Sequence, residues 1–450
     1  MQFTKRILIK LDFKTKPMKK IIFLSTVLFS QLIFSQNQKH DLVFKNVNIV
    51  SMENDKVLEN QNIAILNGKI VVIENAKKSK LKAEKIIDLK GKYIMPSLAD
   101  AHVHLPETEE ELQRMFDLNL INGVTKLRSM RGDWKHKEWQ NKYNTINSIY
   151  PKLYLSAPPI SRNSEASVEQ LEEFVKAVKE NNYGFIKILS IKNQEIFTQL
   201  DSLCKKYEVS LGGHFPRLAM GNALNEDVFF NSNYKSIEHL GGLVGEPNLF
   251  ESRIQAIKKS NIYINPTLLW YSIGSGQYSY EAMQKLPGME FVSKETMQEW
   301  IEKTKVYREK IGEQAYKDEV AKELKDLEEK YQVIARLQKE GIKMLLSPDA
   351  SSKYMMTGCN MINEMELLKN ANLSNFEILQ MATVNFATFH KEYNGVIKVD
   401  KPADFIILDQ NPLENLQTLK NVKGVFFNYN YLDTKALEDM KNKRLTTASK

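Results

Sequence analysis

Apolar and polar positions alternate at both ends of the chain. "LVFKNVNIVSM" (42–52), "NIAILNGKIVVIENA" (62–76) and "KIIDLKGKYIMPS" (85–97) are strand-length stretches rich in β-branched residues, with Asn67-Gly68 and Lys90-Gly91 as turns. Such runs broken by Asn-Gly or Lys-Gly predict strand, turn, strand, and together a small antiparallel unit. The pattern returns in "GVIKVDKPADFIILDQ" (395–410) and "VKGVFFNYNYL" (422–432). Two β-rich ends around a long middle predict one small β-sandwich domain, assembled from residues 40–95 and 391–435.

The middle, residues 96–390, repeats a short apolar strand followed by a helical stretch. Candidate strands are 97–103, 123–129, 152–157, 184–190, 209–214, 236–240, 261–269 and 342–348. Successive starts lie one βα unit apart, except that the last comes 81 residues after its predecessor (261 to 342). Eight such units predict an α/β fold, a (β/α)8 TIM barrel with parallel strands. The long gap is filled by residues 294–341, which are charged, free of proline and end on Gly341 as a helix stop. They predict a helical insertion at about 275–340, either a solvated hairpin or a lid over a site. "SNFEILQMATVNFATFH" (374–390) opens with Ser374 and Glu377 spaced as a capping box and is expected to close the barrel before the β-rich tail.

Charge and composition alter this picture at one end only. "MKKIIFLSTVLFSQLIFS" (18–35) has a two-lysine start, an apolar stretch short for a membrane span, and a small residue before polar "QNQKH". Residues 1–35 are therefore expected to be an upstream extension plus a signal peptide starting at Met18, with an uncleaved anchor as the alternative. The mature protein is then exported, periplasmic or secreted, with no stable membrane span. The 35 residues hold seven basic side chains and one acidic, so their removal takes the net charge from +8 to +2. No basic block with interleaved aromatics remains, which argues against nucleic acid as a partner. Cys204 and Cys359 are too few for a disulfide framework and are read as separate thiols.

Barrel enzymes carry their chemistry at the C-terminal ends of the strands. Metal-competent residues at those ends are His102 and His104 on strand one, Lys187 on strand four, His214 on strand five, His239 on strand six and Asp349 after strand eight. Four of the chain's seven histidines are in this set. His-x-His on a strand turns both imidazoles to one face, where they can share a divalent cation or simply be polar core residues. Lys187, in "FIKIL", is enclosed by apolar neighbours; it either snorkels to the strand end or is carbamylated by carbon dioxide, which turns the amine into a carboxylate able to bridge two cations. Asp349, in "LLSPDASS", is either a helix cap or a metal ligand and proton acceptor. His40 and His390 read as structural. His136, on a loop after strand two, reads as solvated or as reaching a substrate.

Met95 to Leu105, "FIKIL", "GGHFP", "SIEHL", "SPDAS" and "GVIKVDKPADFIILDQNPLE" (395–414) occur in order at the expected strand ends, and in this the chain resembles the metal-dependent amidohydrolase superfamily, within it the imidazolonepropionase-like and prolidase-like group. The resemblance spans residues 42–432. It implies that His102, His104 and Asp349 bind a first metal, that His214 and His239 bind a second, and that a carbamate on Lys187 bridges them. It implies two divalent metal ions, zinc by preference, and a metal-activated hydroxide that cleaves an amide-type bond, with Asp349 as the base. A dipeptide, an N-acyl amino acid or a cyclic amide is the implied substrate. Phosphate-ester or lactone hydrolysis on the same metals, or non-catalytic small-molecule binding, are the alternatives. Arg128, Arg131, His136, Tyr271 and Lys353 are candidates to hold the substrate, and a homo-oligomer is allowed. Ser97 stands where the family has glycine, Ala99 where it has a larger aliphatic, and Ser347-Pro348 where it has Gly-Thr.

Overall fold

The computed structural model describes residues 40–164, 167–216 and 224–448. The expected upstream extension and signal peptide, residues 1–35, lie outside them. Among the described residues no helix is long and apolar enough to cross a membrane.

From the first end come β1 (His40–Val50), β2 (Val57–Leu66), β3 (Lys69–Asn75), β4 (Ala83–Asp88) and β5 (Tyr93–Pro96). β2 and β3 form the expected hairpin, with Leu66 opposite Lys69 and both Asn67 and Gly68 at positive φ (50° and 69°). That is the twist a two-residue turn needs between antiparallel strands. The second turn differs from expectation. Lys90-Gly91 does not reverse the chain: β4 pairs parallel with residues 40–45 of β1, and β5 pairs parallel with Asn48 and Ile49 further along the same strand. A turn closed by Lys92 N–H donating to the Leu89 carbonyl (2.8 Å) only steps the chain sideways.

The two chain ends do meet. β14 (Phe405–Leu408), β15 (Gly424–Phe427) and β16 (Asn430–Leu432) extend the same sheet, because β14 pairs antiparallel with β5. Hydrogen bonding links all eight strands into one mixed sheet in the order β16-β15-β14-β5-β1-β2-β3, with β4 also on β1. The expectation of an antiparallel sandwich is corrected to that extent. Phe44, Phe405 and Phe426 from both ends meet in its core, with ring centroids 5.4 Å apart for Phe44–Phe405 and for Phe405–Phe426.

The middle carries β6 (Leu98–Val103), β7 (Val124–Ser129), β8 (Lys152–Tyr154), β9 (Ser156–Ile160), β10 (Phe185–Ile188), β11 (Ser210–His214), β12 (Tyr234–Glu238) and β13 (Tyr263–Asn265). All neighbours pair parallel. β6 and β7 are buried at every residue, as strands covered on both faces must be. The expected third strand is two pieces: β8 pairs with β7, and β9 pairs with β10. The eighth strand is the least regular. Residues 342–346 make a single ladder bridge, yet Leu345 N–H donates to the Ile264 carbonyl (2.8 Å) and Ala101 N–H to the Leu346 carbonyl (3.1 Å). Those bonds join β13 to β6 through the segment and close the ring.

The insertion is a helical hairpin, Lys294–Ile311 and Glu313–Lys339, broken at Gly312. The first helix buries no residue, whereas the second buries Leu327, Lys330, Tyr331, Val333, Ile334 and Leu337 in its C-terminal half. The excursion thus returns as a helix packed on the barrel. The stretch 374–390 forms two helices, Asn375–Ala382 and Val384–Phe389, and the expected capping box opens the first. Thr383 separates them, its hydroxyl donating back to the Leu379 carbonyl (2.7 Å) in competition with the helix's own bonding.

Ser97 joins the two parts of the molecule. It hydrogen-bonds Asp404 of the sheet unit, and the buried Lys126 ammonium donates to Ser97 Oγ (2.8 Å) while pairing with Asp404 Oδ2 (2.6 Å).

Candidate active site

His102 lies in β6 and His104 just beyond it, two residues apart and so on one face. Lys187 lies in β10, His214 ends β11, His239 follows β12 directly, and Asp349 follows the segment that closes the barrel. These strands bring the side chains together at one rim. The imidazole centroid of His102 is 5.5 Å from that of His104 and 4.9 Å from that of His239; His239 is 5.0 Å from His214. Lys187 Nζ is 3.3 Å from His102 Nε2. Nε2 of His102, His104 and His239 each lies 3.8 Å from a carboxylate oxygen of Asp349. One ligand atom each from His102, His239 and Asp349 fall within 4.8 Å of one another.

Those 3.8 Å separations are too long for hydrogen bonds and suit atoms that share a third partner. His104 Nε2 and Asp349 Oδ1 are both buried without a hydrogen-bond partner among the described residues. A buried polar atom left unpaired is costly, so two aimed at one point fit a cation there. The protonation states fit as well. Burial, with the positive Lys187 beside it, lowers His102 well below its ordinary value. Burial and Lys187 lower His104 to about 3; burial and His214 lower His239 to about 3. All three are therefore neutral and ligand-competent near neutral pH. Burial also lowers Lys187 to about 8, which leaves part of it as free amine at neutral pH.

Two of the clustered rings are oriented from behind. His102 Nδ1 is 3.0 Å from Glu238 Oε2, and His239 Nδ1 is 2.7 Å from Thr267 Oγ1. With Nδ1–H donating in each case, the Nε2 lone pair points to the cluster. Glu238 is itself fixed: it accepts from Arg128 Nη1 (3.0 Å), Ser236 Oγ (2.9 Å) and Asn265 Nδ2 (2.8 Å). Burial pushes its carboxyl up, but Arg128 and His102 outweigh that and hold it below the usual carboxylate range. The sequence reading passed over Glu238, whose signal was a charged residue inside the apolar strand "SIEHL". Backbone strain marks the same place. His239 (φ 69°), Leu240 (55°), Thr267 (49°) and Asp349 (48°) all adopt the left-handed region that non-glycine residues avoid.

The substrate-binding candidates separate. Arg128 does not face a cavity: it is fully buried under the cluster, bonded to Glu238 and to Ser236 Oγ (2.7 Å), with Phe185 and Phe389 against its guanidinium. His136 is also buried and stacks on Trp139 (5.1 Å, 18°), away from the site. Lys353 lines a separate cavity of ≈ 220 Å³. Arg131 is exposed near His104, whose titration feels its charge. Tyr271 alone of the five lines the cavity over the cluster, and its hydroxyl donates to the His239 carbonyl (2.6 Å). That cavity has a volume of ≈ 610 Å³ and exposes His104, Lys187, His214, His239 and Asp349 beside Phe215, Trp270 and Arg162, three residues the sequence alone did not single out. Its size suits a small organic ligand.

Comparison with known proteins agrees with the fold. The profile described as "Amidohydrolase family" matches residues 93–430, three-quarters of the chain. A curated relative, adenine deaminase of Petrotoga mobilis (strain DSM 10674 / SJ95), is 28% identical over 203 residues, 42% of this chain and 34% of that protein. The adenine deaminase of Methanocaldococcus jannaschii is 24% identical over 219 residues, 44% of this chain and 38% of its own. The chain thus spans little more than a third of these relatives. Among solved structures, "AH, Bottromycin amidohydrolase" superposes with a TM-score of 0.72 at 17% identity over 92% of each chain. A Xaa-Pro dipeptidase with bound methionine gives 0.63 at 17% identity, over 87% of this chain and 99% of its own.

Proposed function

The chain belongs to the amidohydrolase family, and from that membership and the clustered side chains we propose that it hydrolyses a carbon–nitrogen bond of amide type in a small molecule. The observation that carries the reading is the convergence of His102, His239 and Asp349 within 4.8 Å, with His104 Nε2 and Asp349 Oδ1 buried and unpaired beside them. In this reading His102, His104 and Asp349 hold one divalent cation and His214 and His239 a second. Lys187, as a carbamate formed when its free amine adds to carbon dioxide and releases one proton, would supply a further carboxylate ligand beside them. Bound there, zinc or a similar cation supplies Lewis-acid activation of water and of the scissile carbonyl. The chain's own part is proton handling and orientation. Asp349 accepts the proton of the attacking water and delivers it to the departing nitrogen. Glu238 and Thr267 keep His102 and His239 in the tautomer that offers Nε2. The cavity wall of Phe215, Trp270 and Tyr271 holds the substrate's apolar part.

Dipeptides, N-acyl amino acids and cyclic amides are the substrates we favour, and residues 18–35 support an exported protein. The adenine deaminase relatives favour a second reading, removal of an exocyclic amino group from a nucleobase, also a carbon–nitrogen hydrolysis. A panel of dipeptides, N-acyl amino acids, cyclic amides and adenine, assayed with zinc and bicarbonate, tests both. Turnover of an amide supports the first reading and release of ammonia from adenine the second. No turnover by protein carrying two metals per chain contradicts both and favours a binding role.

A further inference from the structure

Among the described residues the cavity above the cluster carries four charged side chains other than histidine, and three of them belong to its floor: Lys187, Glu238 and Asp349 are enclosed in the cluster. The fourth, Arg162, is exposed, and its guanidinium has no ion pair or hydrogen bond among the described residues. Its backbone is nonetheless fixed. Arg162 N–H donates to Ser190 Oγ (2.9 Å) and Leu189 N–H to the Ile160 carbonyl (2.9 Å), which ties the end of β9 to the end of β10. Beside it the wall is apolar: Leu189 and Trp270 are 36% and 44% exposed, and Phe215 lines the same space. A cation without a partner among the described residues, next to an open apolar wall, matches a ligand with an anion next to an apolar group.

We propose that Arg162 is a specificity-determining residue that recognises a carboxylate, so that the substrates are N-acyl or peptidyl derivatives of apolar amino acids with a free carboxylate. This rests on the amide-hydrolysis reading above. The test compares N-acetylphenylalanine with N-acetylphenethylamine, the same amide without the carboxylate, on metal-loaded wild type, Arg162→Met and Arg162→Lys. Wild type is expected to favour the acid in kcat/KM by about 10- to 100-fold, the range of a charge-assisted hydrogen-bonded pair. Arg162→Met should abolish that preference and leave the neutral amide unaffected, and Arg162→Lys should restore part of it. Equal treatment of the two by wild type, or an equal loss on both in Arg162→Met, overturns the proposal. If neither amide is cleaved, the hydrolysis reading fails for this class, and calorimetric titration of the same compounds decides about Arg162: tighter binding of the acid that disappears in Arg162→Met upholds its role, and equal binding overturns it.

Discussion

Glu238 accepts from His102, Arg128, Ser236 and Asn265 at once, so a neutral amide in its place leaves a buried guanidinium without its anion and the imidazole without a fixed tautomer. Breaking a buried pair from one side costs about 3–5 kcal/mol, and loss of an outer partner of a metal ligand lowers metal affinity by about 10- to 100-fold. Glu238→Gln is therefore expected to lower the melting temperature and to release metal at lower chelator concentration, both measured on reconstituted protein. Asp349→Asn is expected to keep its metal while kcat falls by about 10²- to 10⁴-fold, the range for a general base; unaltered turnover would remove Asp349 from proton transfer. The difference between these two residues is also a difference in legibility. Asp349, like the histidines and Lys187, stands at a strand end, a place that periodicity locates. Glu238 and Arg128 act from inside the barrel, and whether a charged side chain in an apolar strand points at a cavity or at another buried charge depends on contacts between β7 and β12, more than a hundred residues apart in sequence.

Among the elements, the helical insertion was legible as helical, with a hairpin as one reading, but the position of its break was not. Gly312 stands at φ 83°, ψ 159°, a conformation open essentially to glycine alone, and it lets the chain reverse between the two helices at a point that composition does not mark. Gly312→Ala is expected to cost about 1–3 kcal/mol locally, seen as faster proteolytic cleavage between the two helices, with kcat/KM unchanged because no residue of the first helix is fully buried or lines the cavity over the cluster. A tenfold loss of activity would instead make the hairpin part of the site. The barrel strands were legible because parallel strands covered on both faces read as apolar runs. Their ends were not: β12 stops at Glu238, since His239 and Leu240 turn into the left-handed region. The eighth strand shows the converse, an apolar run with the right position that makes only a few of the hydrogen bonds expected of it.

At the scale of the whole molecule, both chain ends were expected in one β-rich unit. The pairing of β14 with β5 puts them in one sheet, while its parallel steps followed from tertiary pairing that no local turn residue encodes. A buried carboxyl makes stability depend on pH. Glu364 accepts from Leu268 N–H (2.8 Å) and Leu269 N–H (2.7 Å) at the start of the helix that carries Trp270 and Tyr271. Burial pushes it up from 4.5 to about 8. The folded state thus binds this proton more tightly than the unfolded one, so the associated stability is complete below pH 4.5 and is lost as pH rises to about 8. Glu364→Gln should flatten the melting temperature of the protein across that window relative to wild type; parallel profiles would show that Glu364 does not titrate there. Six side chains from five strand ends, His102 and His104 sharing one, are proposed to hold two cations with the help of a modified Lys187. Metal content per chain, measured after reconstitution with zinc and bicarbonate and extensive dialysis, tests it most directly. Two metals in wild type and at most one in Lys187→Ala are predicted; a wild type that retains fewer than two, or a Lys187→Ala protein that retains two, would contradict it.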